Sequence, residues 1–374
     1  MSTLKADTVT AATTNGNLAI SNQGTGGIAI DGIPHRNLII NGDMRIQQRS
    51  DVSNSTTAEY CLDRWRVNLS DGSAIIQHDI AQDTTVPSST FTHSMKVTID
   101  AGDASIAAGA VHLIQHRIEG LVSDQLRFGT SDAKTVTISF WIRSPVTGVH
   151  YVSLRNSAFD RSYPAPYTIS SADTWEHHSV TIPGDTSGTW LTTNGVGIRL
   201  SWCFGAGSTY QGTASSWEGA NDVAASDQVN AVASSADVIY LTGVQLEVGA
   251  TATDFEHRDI ASELARCQRY FYRQSGSTHL ATGVLVSTTN AYGHMEFPVT
   301  MRATPTNAYA VDLADFQIQS PGVAAAPTVM AISYTSKNSV GLSWTKASGG
   351  TAGYACSMLG VDGTNSTFDF IAEL

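Results

Sequence analysis

The chain has 374 residues, enough for two or three domains with sizeable cores. Charged residues make up only 14% of it, against roughly 25% in an ordinary globular protein. The net charge of −12, from 21 basic and 33 acidic residues, excludes a phosphate-tracking grip on nucleic acid or an electrostatic hold on anionic lipid.

The missing charge is replaced by Thr, Ser, Gly, Asn and Gln, a composition that makes strands and turns rather than helices. An all-β fold is therefore expected. Only five of the 21 cations are Lys, and the preference for Arg, the cation suited to paired interfaces, hints at assembly. Cys61, Cys203, Cys267 and Cys356 lie far apart with no CxxC spacing, so four reduced thiols are expected rather than a zinc site or a disulfide framework.

In chain order, the start MSTLKADTVTAATTNG lacks the apolar stretch of a signal peptide, and no run of about 18 apolar residues occurs. The expectation is folding in a cytosol without export or membrane insertion. Residues 1–36 carry a short pattern twice, Asn-Gly-Asn-Leu-Ala-Ile at 15–20 and Thr-Gly-Gly-Ile-Ala-Ile at 25–30. Each unit reads as a turn and a two-hydrophobe strand, with Leu18 and Ile20, then Ile28 and Ile30, on one face. One chain cannot bury so thin a stripe and two copies are too few for a solenoid, so the stripe is either covered by partner chains or left disordered.

From Asn37 to Arg258 short strands and turns alternate. In Lys134–Arg143, Val136, Ile138, Phe140 and Ile142 alternate with Thr135, Thr137, Ser139 and Trp141, the period of a half-buried strand. Seven or more such strands predict a jelly-roll β-sandwich over 37–258. Residues 205–236 have no strand pattern and carry Tyr210 and Trp217, a long loop of the kind that serves function or interfaces. Ile260, Leu264 and Cys267 are spaced as on a helix, with acids before them and arginines after, which predicts a helical linker over 259–274. Strand patterns resume after Arg273 and predict a second, smaller β domain over 275–374.

Several motifs occur in a fixed order: Asn37-Leu-Ile-Ile-Asn-Gly-Asp-Met-Arg-Ile-Gln-Gln-Arg49, Asp63-Arg-Trp65, Gln115-His-Arg-Ile-Glu119, Ser139-Phe-Trp-Ile-Arg143 and Thr242-Gly-Val-Gln-Leu-Glu-Val-Gly249. They lead into Ala252-Thr-Asp-Phe-Glu-His-Arg258 and Glu263-Leu-Ala-Arg-Cys-Gln-Arg-Tyr270. Together they resemble the carbohydrate-binding-module-like jelly rolls of tail fibres and other virion structural proteins of tailed bacteriophages. Phe297-Pro-Val-Thr-Met-Arg-Ala-Thr-Pro-Thr306 resembles the start of the β domain that often follows, and Leu4-Lys-Ala-Asp-Thr-Val9 the attachment end of phage appendage proteins. The resemblance implies a virion component, commonly a homotrimer, assembled in the host cytoplasm. Its N-terminus would join other tail proteins, and its β-sandwiches would face glycans or proteins of a bacterial surface.

Chemistry is weighed against plainer roles. Glu119 and Glu247 sit in the most distinctive motifs and could be imagined as a glycosidase pair, but strand carboxylates of jelly rolls more often bind an arginine or a structural cation. Such jelly rolls often carry calcium, for which Asn41 and Asp43 offer oxygens in a turn, although no DxDxDG loop is present. His112 and His116 lack the glutamate of HExxH, and adjacent His177 and His178 point to opposite strand faces, so no metal or cofactor is expected beyond that calcium. No Gly-x-Ser-x-Gly elbow exists.

Sugar binding needs exposed aromatic faces beside hydrogen-bonding groups. Tyr163 and Tyr167 in a loop, with Asp160 and Arg161 as polar neighbours, and Tyr210 and Trp217 in the long loop, are the stacking candidates; each could instead pack its own loop. Trp65, Trp141, Trp202 and Trp344 lie in strands and read as core. The resemblance thus implies a phage fibre or tail-tip subunit, and the residues add the expectation that it binds without turnover. The alternatives are a fibre-borne polysaccharide depolymerase and a purely scaffolding virion protein.

Overall fold

The computed structural model describes residues 35–70, 76–276, 279–309, 313–361 and 366–374. The N-terminal stripe of Leu18, Ile20, Ile28 and Ile30 lies outside the described residues. The fold is all-β. Its first part uses twelve strands, in chain order β1 (Val52–Ser55), β2 (Glu59–Tyr60), β3 (Trp65–Ser70), β4 (Gln77–Asp83), β5 (Ser94–Ala101) and β6 (Val111–Glu119). These are followed by β7 (Val136–Arg143), β8 (Gly148–Arg155), β9 (Ser162–Ile169), β10 (Glu176–Ile182), β11 (Val196–Ala206) and β12 (Val238–Val248).

They form a jelly-roll sandwich of two six-stranded sheets, β1-β4-β5-β12-β7-β10 and β2-β3-β6-β11-β8-β9, with all neighbouring strands antiparallel. Alternation decides which side chains meet between them. Ile138, Phe140 and Ile142 of the first sheet face Ile114, Val152, Leu200 and Trp202 of the second, all buried in one apolar layer. Phe140 and Trp202 meet edge to face at 5.4 Å, the favoured aromatic geometry.

The segment before β1 closes this layer. Asn37 donates its side-chain N–H to the Val244 carbonyl and accepts from the backbone of Ile39 and Leu246, while Val244 donates to the Gly42 carbonyl. The segment so attaches to β12 where that strand bulges, between Thr242 and Gln245. Gly42 is required there, because a Cβ would stand 2.2 Å from the Val244 carbonyl oxygen.

A helix, Ile260–Gln268, follows β12, with the Asp259 carboxylate capping the N–H groups of Ala261 and Ser262 at 3.0 Å. Its acidic N-terminal and basic C-terminal ends match the helix dipole. The chain then builds a second β assembly around its own core of Phe316, Ile318, Trp344, Met358, Phe368 and Phe370. One sheet there has three strands and the other seven. The two assemblies are joined through polar groups. Glu119, at the end of β6, accepts from Arg269 at 2.7 and 3.0 Å and from the Tyr270 hydroxyl at 2.6 Å.

All four cysteines are buried and none is in a disulfide. No helix among the described residues is long and apolar enough to cross a membrane.

Candidate functional site

In β7 the inward set Val136, Ile138, Phe140 and Ile142 forces Trp141 onto the outer face of its sheet. Trp141 is half-buried there, so the expectation that it belongs to the core is corrected. Across the strand pairing it lies beside His177 of β10, with ring centres 5.1 Å apart, and opposite Thr242 of β12. The next residue, Gly243, takes a left-handed φ of +61° at the β12 bulge. A Cβ at that position would stand 2.8 Å from Phe91 Cζ and 3.0 Å from Trp141 Cδ1. The missing side chain is what leaves a groove between these two rings.

The groove holds about 490 Å³ and is lined by Phe91, Trp141, His177, Phe255 and His257, with Thr90, Ser139, Thr253 and Asp254 as polar rim. Its far wall is the segment after β12, which is held by the Gln-Leu-Glu motif. Glu247 accepts from Thr253 N–H and hydroxyl, both at 2.8 Å, and Gln245 accepts from Glu256 N–H at 2.9 Å. Phe255 and His257 then meet each other and Phe91 with ring centres 4.8 to 5.5 Å apart. Burial pulls the His177 imidazole below its usual range, so it faces the groove as a neutral donor and acceptor at pH 7. Aromatic faces, a neutral imidazole and rim hydroxyls make a surface for a polyhydroxylated ring rather than for charge.

The residues singled out from sequence fall elsewhere. Tyr163 and Tyr167 are not in a loop: they belong to β9, are 6% exposed and point into the sandwich core. Neither ring is free to stack on a ligand. Trp217 is half-buried, its ring 5.2 Å from Tyr163 and 5.6 Å from Trp190, and its indole N–H donates to the Pro183 carbonyl at 2.8 Å. Tyr210 packs against the small apolar cluster that seats the long loop on β6, β8 and β11. Arg161 is committed to a two-pronged pair with Asp185, both contacts at 2.7 Å, and Asp160 accepts from the Asn156 amide. These six residues hold the loops to the sandwich and do not present a common open face.

Asn41 spends both ends of its amide on the chain itself, donating to the Ile46 and Asp63 carbonyls and accepting from Ile46 N–H. Asp43 pairs with Arg45 at 2.5 Å. The turn therefore does not gather free oxygens for calcium, and no group of three or more metal-ligating His, Cys, Asp or Glu side chains occurs among the described residues. Glu119 and Glu247 share no hydrogen-bond partner, each being bonded as above. Burial pushes the Glu119 carboxyl up, but hydrogen bonds from Arg269 and Tyr270 outweigh it and leave it below the usual range, the reverse of what a general acid needs.

No family model and no curated protein matches the chain. Solved structures similar to it include the enzymatically active domain of tailspike protein 4 of bacteriophage CBA120, at 10% identity and TM-score 0.32, covering 58% of this chain. The chain spans 22% of that tailspike's length. A CBM4 structure is similar at 15% identity and TM-score 0.30, over 56% of this chain and 97% of its own. The tandem CBM22-1–CBM22-2 domain of Paenibacillus barcinonensis Xyn10C is similar at 9% identity and TM-score 0.26, over 95% of this chain and 100% of its own.

Proposed function

We propose that the protein is a tail-fibre or tail-tip subunit of a tailed bacteriophage whose jelly roll binds glycans of the host surface through the Trp141 groove. The ordered motifs from Asn37 to Tyr270 support the phage setting and, through it, the homotrimer, and the Leu4-Lys-Ala-Asp-Thr-Val9 segment supports the virion-docking N-terminus. One observation carries the binding role: an outward Trp141 beside neutral His177, in a groove kept open by Gly243 and rimmed by hydroxyls and Asp254. The reading is of a binding protein without turnover, since Glu119 and Glu247 are both engaged in holding structure.

The test uses an array of uncharged oligosaccharides probed with the full chain. Trp141→Ala, with unchanged melting, should lose about tenfold in affinity for whichever glycans bind, the value of one aromatic stacking face. Binding equal to wild type would remove the groove from the reading. Failure of the wild-type chain to bind any glycan, together with normal particle assembly, would favour the scaffolding alternative.

A further inference from the structure

The outer face of the second sheet carries a different surface. Alternation that turns Trp65, Ile114, His116, Leu200, Trp202 and Leu154 inward turns Arg66, Arg117, Arg199 and Arg155 outward. The register sets them side by side: Arg117 is directly opposite Arg199, Arg199 is directly opposite Arg155, and Arg66 is opposite Gln115, one pleat away from Arg117. Three like charges on adjacent strands span only about 10 Å. Directly opposed like charges destabilise a sheet. In a chain of net charge −12, acids for pairing are plentiful, yet none of the four arginines forms an ion pair with an Asp or Glu side chain among the described residues.

What surrounds the row is neutral and hydrogen-bonding. Arg155, only 3% exposed, donates to Asn221 Oδ1 at 2.7 Å and to Ser201 Oγ at 3.1 Å, and its Nε has no acceptor. The Nε atoms of Arg66 and Arg199 likewise have none. Arg117 donates to Gln115 Oε1 at 2.7 Å and to the Leu374 main-chain oxygen. Phe159, 39% exposed and held at a left-handed φ of +60°, lies under the Arg199 guanidinium at 4.5 Å and near that of Arg155 at 5.5 Å. A non-glycine residue in that conformation is strained and is found where surroundings or function demand it. Burial, then the neighbouring arginines, pushes the Arg155 and Arg199 guanidinium groups down from their usual range, the mark of charges lacking a partner.

We propose that this arginine row is a second ligand site, on the face of the sandwich opposite the Trp141 groove, and that it takes an acidic saccharide. Guanidinium forks match carboxylate, sulfate and phosphate oxygens, the half-buried Asn221 amide suits a ring hydroxyl, and Phe159 offers an aromatic face, while the buried Ser201 and Gln115 hold Arg155 and Arg117 in place. The bound anion supplies the charge that the chain leaves out. The site does not rest on the groove, and Trp141→Ala should leave it intact.

The test is calorimetric titration of the full chain with oligogalacturonate, an uncharged galacto-oligosaccharide of equal length, and inorganic sulfate. Oligogalacturonate should bind, more weakly as salt rises, and at least tenfold more tightly than the uncharged sugar. Arg199→Gln should lose tenfold or more of that affinity while melting at the same or a higher temperature without ligand, because a repulsive neighbour is gone. Arg199→Lys, which keeps charge without the fork, should fall between. Three results would overturn the proposal: equal binding of charged and uncharged sugars, sulfate binding without oligogalacturonate binding, or an Arg199→Gln chain that melts lower or fails to fold.

Discussion

Histidines inside the sandwich set how this protein responds to acid. His78, His116 and His150 are each 1% exposed or less, and burial lowers the affinity of all three for a proton, with Arg64 adding to the effect at His116. An unfolded histidine takes up its proton near pH 6.5, whereas these stay neutral in the fold. Below that pH the unfolded chain therefore binds more protons, and stability must fall as pH falls. Asp63 acts in the other direction, since burial raises its carboxyl to about 6 and its contribution to stability is gained as pH falls below that value. Between pH 7 and 6 the histidines should dominate, with a melting temperature that drops steadily in buffers of equal ionic strength. A flat profile over that interval would contradict this account. The same scale shows what was legible in the sequence. The alternation that places Trp141 on the polar side of β7 is visible in Lys134–Arg143, and the default that strand tryptophans are core hid it. Tyr163 and Tyr167 were obscured by Pro164 and Pro166, which suggest a loop; β9 is the edge strand of its sheet, with β8 as its one strand neighbour among the described residues, and proline is tolerated there.

At the scale of elements, the strand and helix patterns follow from periodicity where one face is buried and the other open, as in β5 and β10. The helix in particular is marked by its Asp259 cap and its spacing of Leu264 and Cys267. What periodicity cannot show is the attachment of 37–42 to the bulge of β12, two segments some 200 residues apart whose meeting depends on side-chain amides and on two glycines. Gly42 is the point of closest approach. Gly42→Ala would drive a methyl into the Val244 carbonyl, so the segment must shift and the hydrogen bonds of Asn37 must lengthen. The expected cost is about 1–3 kcal/mol, as for other overpacked sites, read as a lower midpoint in urea with an unchanged slope. Because the bulge also shapes the groove, affinity for a groove ligand should fall with it. Wild-type stability in Gly42→Ala would mean that the segment docks more loosely than its hydrogen bonds indicate.

Across the whole molecule, the joint between the two β assemblies is built from arginines of the second half gripping main-chain and carboxylate oxygens, together with arginines of the first half that reach the final residues. Arg302 donates to the Asn194, Ala372 and Glu373 carbonyls, each at 2.7 Å, and Glu373 in turn accepts from Arg49 at 3.0 Å and from Arg64. Arg49 and Arg64 also lie over the Phe271 and Tyr270 rings at 3.6 Å. The excess of Arg over Lys in the sequence hinted at interfaces, and this one lies within the chain. Among its most buried members is Glu119, 1% exposed, which takes three hydrogen bonds from Arg269 and Tyr270. Glu119→Ala would orphan the Tyr270 hydroxyl in a buried place, whereas Arg269, a third exposed, can turn to water. The loss should therefore be about 2–3 kcal/mol, less than for removing one partner of a fully buried pair. Because those bonds cross the joint, the loss should also reduce coupling. Tryptophan fluorescence in urea should follow one transition in the wild type and two in Glu119→Ala, with Trp344 reporting the second assembly. A variant that still unfolds in one step at the wild-type midpoint would show that the tail contacts of Arg302 and Glu373 suffice to couple the halves.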